Sequence, residues 1–199
     1  ARLLPVKPRA PHNPTCADYP FVLNTGRIRD QWHTMTRTGL TSRLLAHISE
    51  PFVEMHPRDA AANGLRDGEL AQLITRWGQM LARVQCHSGQ QECTVFVPMH
   101  WTGARSRKGR VGPLVNPVTD PISGQPENKH TPVAVRPWRP AWQGFWLHVD
   151  GAELPETDYA VSIRSEHGWR HELAGSESAD LQALADRWLP LHAGEWLEY

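Results

Sequence analysis

Short runs of hydrophobic residues alternate with polar residues along most of the chain, a pattern of strands rather than long helices. Met80, Ala82 and Val84, for example, alternate with Arg83 and Gln85. A hairpin is predicted around Trp77-Gly78-Gln79, because glycine suits a tight turn between two such runs. The predicted strands are Phe21–Leu23, Glu69–Arg76, Met80–Gln85, Thr94–Val97, Thr131–Val135, Phe145–Val149, Tyr159–Ile163, Trp169–Leu173 and Trp196–Tyr199.

Helix signals are few and short. Pro57, Asp59 and three alanines followed by Asn63-Gly64 predict one helix with a proline at its start and a left-handed stop. Residues 178–189 place Leu181, Leu184 and Trp188 on one face and predict a second helix. Between the first strand and the first helix, residues 28–49 form a long ordered loop with one helical turn near residues 42–47.

These elements predict three segments. Residues 1–20 contain five prolines and form an extended arm. Residues 21–137 contain many short strands with glycine turns, which predicts a mainly β fold, a closed barrel with short helices. Residues 138–199 form a small α+β appendage.

Charge is balanced overall but not along the chain. The whole chain has 21 basic and 21 acidic residues, which excludes proteins that bind by bulk positive charge. Residues 1–149 contain 18 basic and 10 acidic residues, a net charge of +8, whereas residues 150–199 contain 3 and 11, a net charge of −8. The first segment could therefore hold an anionic ligand.

Three widely spaced cysteines, Cys16, Cys86 and Cys93, form no disulfide framework and favour a reducing, cytoplasmic location. No apolar stretch is long enough to span a membrane. The first residues, Ala1–Pro5, have the character of a chain interior, and we expect this sequence to be a segment of a longer protein.

Familiar catalytic motifs are not found in the sequence. It contains no glycine-rich dinucleotide or phosphate loop, no H-E-x-x-H motif, no C-x-x-C pair and no nucleophile elbow. Its histidines are scattered, so no metal site and no catalytic residue are predicted. We therefore expect the chain to bind a ligand rather than to catalyse a reaction alone.

The candidate ligand site begins where the first strand ends. Thr25-Gly26-Arg27 offers backbone N–H groups, a hydroxyl and a guanidinium, which are the parts needed to hold a phosphate. The following loop adds donors around an aromatic ring, which suits a purine- or pterin-like group that carries phosphates. The predicted cofactor-binding residues are Thr25, Gly26, Arg27, Gln31, Trp32, His33, Thr34, Thr36, Arg37, His100, Trp101, Asn116 and Lys129.

The motifs Asn24-Thr25-Gly26-Arg27 and Asp30–Gly39 resemble the C-terminal dinucleotide-binding domain of molybdopterin oxidoreductases, most of all that of assimilatory nitrate reductases. Three further segments, Glu50–Pro57, Val95–Trp101 and Asn116–Pro121, follow in the order of that family. The resemblance covers about residues 18–136. Beyond residue 138 the chain is similar, more weakly, to an appendage of some assimilatory nitrate reductases.

This resemblance implies a double-psi β-barrel that binds a molybdenum cofactor with two molybdopterin guanine dinucleotides. It implies that the predicted residues clamp the pterin and the diphosphate while the parent enzyme reduces nitrate to nitrite. The iron–sulfur cluster and the metal ligand would belong to N-terminal domains of the same polypeptide, and an electron-donor protein would complete the system. The segment alone is then expected to be inactive and to bind free cofactor weakly, since it supplies part of a shared clamp.

Three alternatives remain open. The barrel could come from another molybdenum enzyme, such as a formate dehydrogenase or a periplasmic-type nitrate reductase. It could be a stand-alone module that binds proteins or nucleotides without redox activity. The basic residues between Arg105 and Arg110 could bind RNA, although the neutral total charge argues against a nucleic-acid partner.

Overall fold

A computed structural model describes residues 3, 5, 7–149 and 153–188 of the chain. Its strands are β1 (Phe21–Gly26), β2 (Phe52–Met55), β3 (Leu70–Ile74), β4 (Gln79–Cys86), β5 (Thr94–Pro98), β6 (Ser106–Arg107), β7 (Thr131–Pro137), β8 (Trp142–His148), β9 (Tyr159–Arg164) and β10 (Trp169–Gly175). Its α-helices are α1 (Ser42–Leu45), α2 (Pro57–Ala62) and α3 (Ser178–Trp188), and Thr38–Leu40 and Gly112–Leu114 form short 3-10 helices. The predicted strand Trp196–Tyr199 and the side chain of Trp188 lie outside the described part of the chain.

Six strands close into a barrel in the order β1-β5-β2-β4-β3-β7. Two pairs, β1 with β5 and β2 with β4, are parallel, and the other neighbours are antiparallel. Inward-facing residues such as Leu23, Val53, Leu73 and Val95 are fully buried and fill the interior. The expected mainly β fold, a closed barrel of the double-psi type with short helices, is confirmed.

Most of the predicted barrel elements are confirmed. The hairpin joins β3 to β4, with Thr75 N donating to Gly78 O at its turn. Helix α2 begins at Pro57 and is followed by Gly64 at φ +68°, the left-handed residue expected there. Strand β2 was not predicted. It has only four residues, three of them are buried, and it therefore shows no alternation of polar and apolar positions.

The C-terminal part forms a second, four-stranded sheet with the order β6-β9-β10-β8, and helix α3 follows it. The predicted pairing of β9 with β10 is confirmed. Strand β6 is contributed by the long irregular stretch that follows β5, so the sheet includes two residues from within the predicted barrel segment. An α+β appendage is therefore present, and it shares a strand with the chain that precedes it.

The barrel and this sheet are packed against each other. One buried cluster combines Leu70, Leu81 and Trp101 with Tyr159 and Val161 of β9. Tyr159 donates a hydrogen bond to Glu50 Oε2 (2.9 Å), which also accepts one from Arg83 Nη2 (2.8 Å). None of the described helices has the length and apolar character needed to cross a membrane.

Candidate functional site

The site is built at the edge where β1 and β5 end side by side. Their parallel register pairs Gly26 with Pro98, and Met99 N donates to Gly26 O (2.9 Å). The loop after β1 and the His100-Trp101 segment after β5 therefore leave the barrel together. We call residues 27–41 the site loop.

Thr25 and Gly26 contact the segment that precedes β7. The Thr25 hydroxyl donates to Asn128 O (3.1 Å), and Lys129 Nζ donates to Thr25 O. A Cβ atom at Gly26 would lie 2.8 Å from Phe96 Cε2 and 3.9 Å from Lys129 Nζ. A side chain at this position would thus force the Phe96 ring to shift, and the ammonium group of Lys129 lies beside the end of β1.

Asn116 fixes this segment from inside. Its side chain is 1% exposed and donates to Glu127 O and His130 O, both at 2.9 Å, while its Oδ1 accepts from Val118 N (3.0 Å). Its amide group is therefore fully engaged within the protein. Because Glu127 and His130 lie on either side of Lys129 in the chain, these hydrogen bonds hold the backbone that carries Lys129.

The site loop presents an aromatic face to solvent. Trp32 is 58% exposed, and the guanidinium of Arg27 lies 5.5 Å from the centre of its ring. The His33 ring meets Trp32 edge to face at 4.6 Å. His33 (φ 44°) and Met35 (φ 59°) both adopt left-handed backbone, so neighbouring constraints must hold this segment.

His100 supplies one of these constraints. Its ring is fully buried, with Nδ1 2.7 Å from His33 O and Nε2 3.0 Å from Ile28 N. Because a carbonyl can only accept and a backbone N–H can only donate, Nδ1 carries the proton and Nε2 is the acceptor. Burial lowers the pKa of His100, which keeps it in this neutral form. His100 therefore ties two points of the site loop to the end of β5.

Gln31 is the second internal support. It is 4% exposed, and its Oε1 accepts from the Thr38 hydroxyl (2.7 Å), which in turn accepts from Trp32 N (3.4 Å). Gln31 Nε2 is buried without a hydrogen-bond partner among the described residues. A buried donor of this kind is costly unless an acceptor reaches it, so this nitrogen suits a polar atom of a bound group.

The remaining predicted residues divide into exposed and buried ones. Thr34, Thr36 and Arg37 are exposed on the site loop, with the two hydroxyls 3.2 Å apart. Trp101 is 3% exposed and packs in the cluster between the barrel and the C-terminal sheet. Its ring therefore supports the site loop from behind and does not offer a face to solvent.

The basic stretch from Arg105 to Arg110 is largely engaged by the C-terminal unit. Lys108 pairs with Asp158 and Arg107 with Glu156, while Arg105 lies 5.5 Å from the ring centre of Trp169. Two of the four positive charges of this stretch, those of Arg107 and Lys108, are therefore paired with carboxylates of the C-terminal unit. In the described ranges, no three His, Cys, Asp or Glu side chains are grouped as a metal site.

Several residues of the site were not predicted. Ile28 and Asn128 act through backbone groups, for which no side-chain signal exists in the sequence. Phe96 and Thr38 act through packing and through a bridging hydroxyl. Thr38 lies within the recognised motif, and its spacing of seven residues from Gln31 is the one signal that could have pointed to it.

Comparison with known proteins bears directly on this site. Residues 21–132, which include all of the site residues just described, match the family described as molydopterin dinucleotide binding domain. That range contains β1, the site loop, the His100-Trp101 segment and Lys129.

Several curated proteins are similar to the chain. A nitrate reductase of Klebsiella oxytoca is 52% identical over 154 residues, covering 77% of this chain and 18% of that protein. The assimilatory nitrate reductase catalytic subunit of Bacillus subtilis (strain 168) is 31% identical over 135 residues, or 68% of this chain and 18% of that protein. An F420-dependent formate dehydrogenase subunit alpha of Methanocaldococcus jannaschii is 33% identical over 128 residues, which cover 64% of this chain and 18% of that protein.

Among solved structures, acetylene hydratase from Pelobacter acetylenicus matches 59% of this chain and 18% of its own with a TM-score of 0.48 and 20% identity, a distant likeness. The chain thus spans less than a fifth of the length of these relatives. The family match covers more than half of the chain and the complete candidate site. The chain therefore belongs to the molydopterin dinucleotide binding domain family.

Proposed function

We propose that this chain is the cofactor-binding barrel of a molybdenum-dependent nitrate reductase of the assimilatory type. It would hold molybdenum bis(molybdopterin guanine dinucleotide) as part of a longer polypeptide. The family match and the nitrate reductases among its relatives support this proposal.

One observation carries the proposal: the end of β1 brings an exposed aromatic face and positive charge together. Trp32 is exposed with Arg27 behind it, and Lys129 is bonded to Thr25 O two residues before Arg27. A flat ring system can stack on an indole face, and phosphates can accept from guanidinium and ammonium groups. The donors present thus fit a dinucleotide with an aromatic base.

The chain's residues would act by binding and orientation. Arg27, Arg37 and Lys129 would supply positive charge to phosphates, while His33, Thr34 and Thr36 would add donors. The buried Gln31 Nε2 would find its acceptor in the bound group. The cofactor, when bound, supplies oxygen-atom transfer at its metal. Neutral His100, with both ring nitrogens bonded inside the protein, holds the site loop in place.

The rest of the proposal concerns the longer protein. We infer N-terminal domains that carry the iron–sulfur cluster and the metal ligand, an electron-donor partner and a cytoplasmic location. A formate dehydrogenase is the second candidate, because formate dehydrogenase subunits are among the relatives. Purified full-length protein should reduce nitrate with an artificial electron donor, and formate oxidation instead would favour the second candidate.

The site itself can be tested by measuring cofactor content. In the full-length protein, Trp32→Ala and Arg27→Ala are expected to lower bound molybdenum and the guanine nucleotide released by acid about tenfold, since stacking on an aromatic residue contributes about 1–3 kcal/mol per base. Because Trp32 is largely exposed, the free energy of unfolding should hardly change.

Arg66→Ala is the matched control, since Arg66 is an exposed arginine between α2 and β3, away from the site loop. Its cofactor content should equal that of the wild type. Full cofactor content in both Trp32→Ala and Arg27→Ala would refute the proposed site.

A further inference from the structure

The site loop rests on the C-terminal unit, by which we mean residues 138–149 and 153–188. Met35, at the centre of the site loop, is fully buried in the same cluster as Tyr159, Val161 and Ile163 of β9. Leu45 of α1, which follows the site loop, is buried in that cluster too. The C-terminal sheet therefore packs beneath the site loop, although its strands β8, β9 and β10 lie beyond the matched family range.

Arg105 connects this sheet to the site loop. Its backbone carbonyl accepts from Ser162 N of β9 (2.9 Å), and its guanidinium lies 5.5 Å from the Trp169 ring centre at the start of β10. Arg164 lies 5.4 Å from the same ring. Arg105 is thus fixed to the C-terminal unit by its backbone and by its side chain.

The Arg105 guanidinium also lies beside Gly39 of the site loop. A Cβ atom at Gly39 would lie 2.8 Å from Arg105 Cζ and 2.9 Å from its Nε and Nη2. Gly39 is in a 3-10 helix and has no left-handed φ, so its backbone would accept alanine. An alanine at this position would therefore require the Arg105 guanidinium, the flexible end of that side chain, to shift away from the site loop.

This contact bears on the part of the loop that carries the exposed aromatic face. Gly39 N donates to Met35 O (2.9 Å), and Met35 N donates to Trp32 O (3.0 Å). The neighbouring Thr38 hydroxyl bonds Gln31 and accepts from Trp32 N. A shift of Gly39 would therefore disturb these hydrogen bonds and change the position of Trp32.

We propose that the C-terminal unit is a positioning platform for the cofactor-binding loop and that Arg105 is the positioning residue that joins the two. This assigns a role to the appendage outside the family domain. Its consequence for cofactor retention rests on the proposed function, whereas the positioning of the loop does not.

Hydrogen exchange in the cofactor-free full-length protein tests the positioning directly. In Arg105→Ala, peptides covering residues 32–41 are expected to exchange about tenfold faster than in the wild type, because the Met35 and Gly39 amides lose their support. Peptides covering β3 and β4 should keep their protection. Unchanged exchange in residues 32–41 overturns the proposal.

Arg107→Ala is the matched control. Arg107 lies two residues away and pairs with Glu156 of the C-terminal unit, so its loss also removes a contact between the same segments. It should leave exchange in residues 32–41 unchanged. Equal acceleration in both variants would show a general loosening and would overturn the specific role of Arg105.

Double substitution separates contact from simple loss of stability. Gly39→Ala alone should accelerate exchange, since its Cβ displaces Arg105, and the double variant with Arg105→Ala should accelerate it by less than the two single effects combined. Strictly additive effects would contradict direct contact. Arg105→Lys keeps the charge but not the planar group, so its exchange rate in residues 32–41 should lie between those of the wild type and Arg105→Ala. This variant replaces Arg105→Ala in the test if Arg105→Ala does not fold.

Cofactor content then distinguishes the two proposals. If loop exchange rises and guanine nucleotide content falls in Arg105→Ala but not in Arg107→Ala, both are supported. If loop exchange rises and cofactor content stays at the wild-type level, the platform stands and the assignment of the site loop as cofactor-binding fails.

Discussion

At the scale of single residues, Gly26 illustrates how the lack of a side chain shapes the binding edge. The ring of Phe96 fills the space where a Cβ atom would lie, and it packs against Phe52 with ring centres 6.1 Å apart. Since the ring also packs against Phe52, its displacement would disturb that contact. A larger residue at this end of β1 would therefore force the Phe96 ring to shift.

Gly26→Ala is expected to lower the free energy of unfolding by about 1–3 kcal/mol, the usual cost of overpacking. Gly112→Ala is the matched control, because nothing lies within 4 Å of a Cβ atom there. Denaturant unfolding of both variants measures the difference. Similar midpoints for the two would mean that Phe96 yields freely and that the packing argument is wrong.

The predicted site residues show what a sequence can and cannot indicate. The position of Thr25, Gly26 and Arg27 at the end of β1 was predictable, because the strand and the turn residues that follow it are contiguous in the sequence. The engagement of Asn116 by the carbonyls of Glu127 and His130 was not, since backbone acceptors leave no trace in residue type. Likewise, the burial of Trp101 depends on residues of β9 more than 50 positions later in the chain.

At the scale of elements, alternation predicted the antiparallel strands well. The β3–β4 hairpin and the β9–β10 pair are local in sequence, so turn residues and period together indicate them. The two-residue strand β6 has no periodicity at all, because its pairing with β9 depends on the fold. The parallel pairing of β1 with β5 likewise joins strands separated by more than sixty residues.

The pairing of β10 with β8 brings two histidines together inside the C-terminal sheet. His148 and His171 are buried with their Nε2 atoms 2.8 Å apart and their rings nearly parallel, and Trp146 stacks on both. Burial first, and then the neighbouring His148, lower the pKa of His171 to about 4. The sheet therefore tolerates the neutral form of His171 and resists its protonation.

This predicts acid sensitivity of the sheet. The unfolded chain takes up the proton at the ordinary histidine pKa of about 6.5, whereas the folded chain resists until about 4. Between these values the unfolded state binds more protons, so the free energy of unfolding falls as the pH is lowered through this window, by about 1–3 kcal/mol.

Thermal unfolding of wild type and His171→Gln at pH 7 and pH 5 measures this effect. The loss on acidification should be smaller in His171→Gln, which cannot take up the proton. His167→Gln, at an exposed position of the β9–β10 turn, should behave as the wild type does. A loss of the same size in His171→Gln would rule out His171 as the source.

At the scale of the whole molecule, the opposite charges of the two parts meet across their interface. Lys108 pairs with Asp158 and Arg107 with Glu156. Asp158 also accepts from Ser176, and its pKa is lowered to about 2, chiefly by the hydrogen bond from Lys108. The charge asymmetry seen in the sequence thus belongs in part to contacts within the chain.

Removal of residues 138–199 is expected to expose the cluster that contains Leu70, Leu81 and Trp101. The shortened chain should bind a hydrophobic dye strongly and associate, because large uncovered apolar patches promote association. Arg107→Ala with Lys108→Ala is the control, since it removes two ion pairs and keeps the apolar cover. Sedimentation and dye fluorescence compare them, and a monomeric, dye-negative truncation would contradict this prediction.

The packing of the C-terminal unit against the rest of the chain could not be predicted from the sequence. The appendage was predicted as a unit with strands and a helix, but nothing in its pattern indicated that it lies beneath the site loop. Met35 and Ile163 are 128 positions apart in the sequence, yet they belong to one buried cluster of the folded chain, and the pattern of neither segment indicates this.

The two residues of β6 have a practical consequence for anyone exchanging modules between relatives of this protein. A crossover placed at residue 138 would separate the C-terminal sheet from its own fourth strand, β6. Strand β9 of one protein would then have to pair with β6 of the other. A chimaera that keeps its hydrogen-bonding edge intact must transplant residues 105–108 together with the C-terminal module.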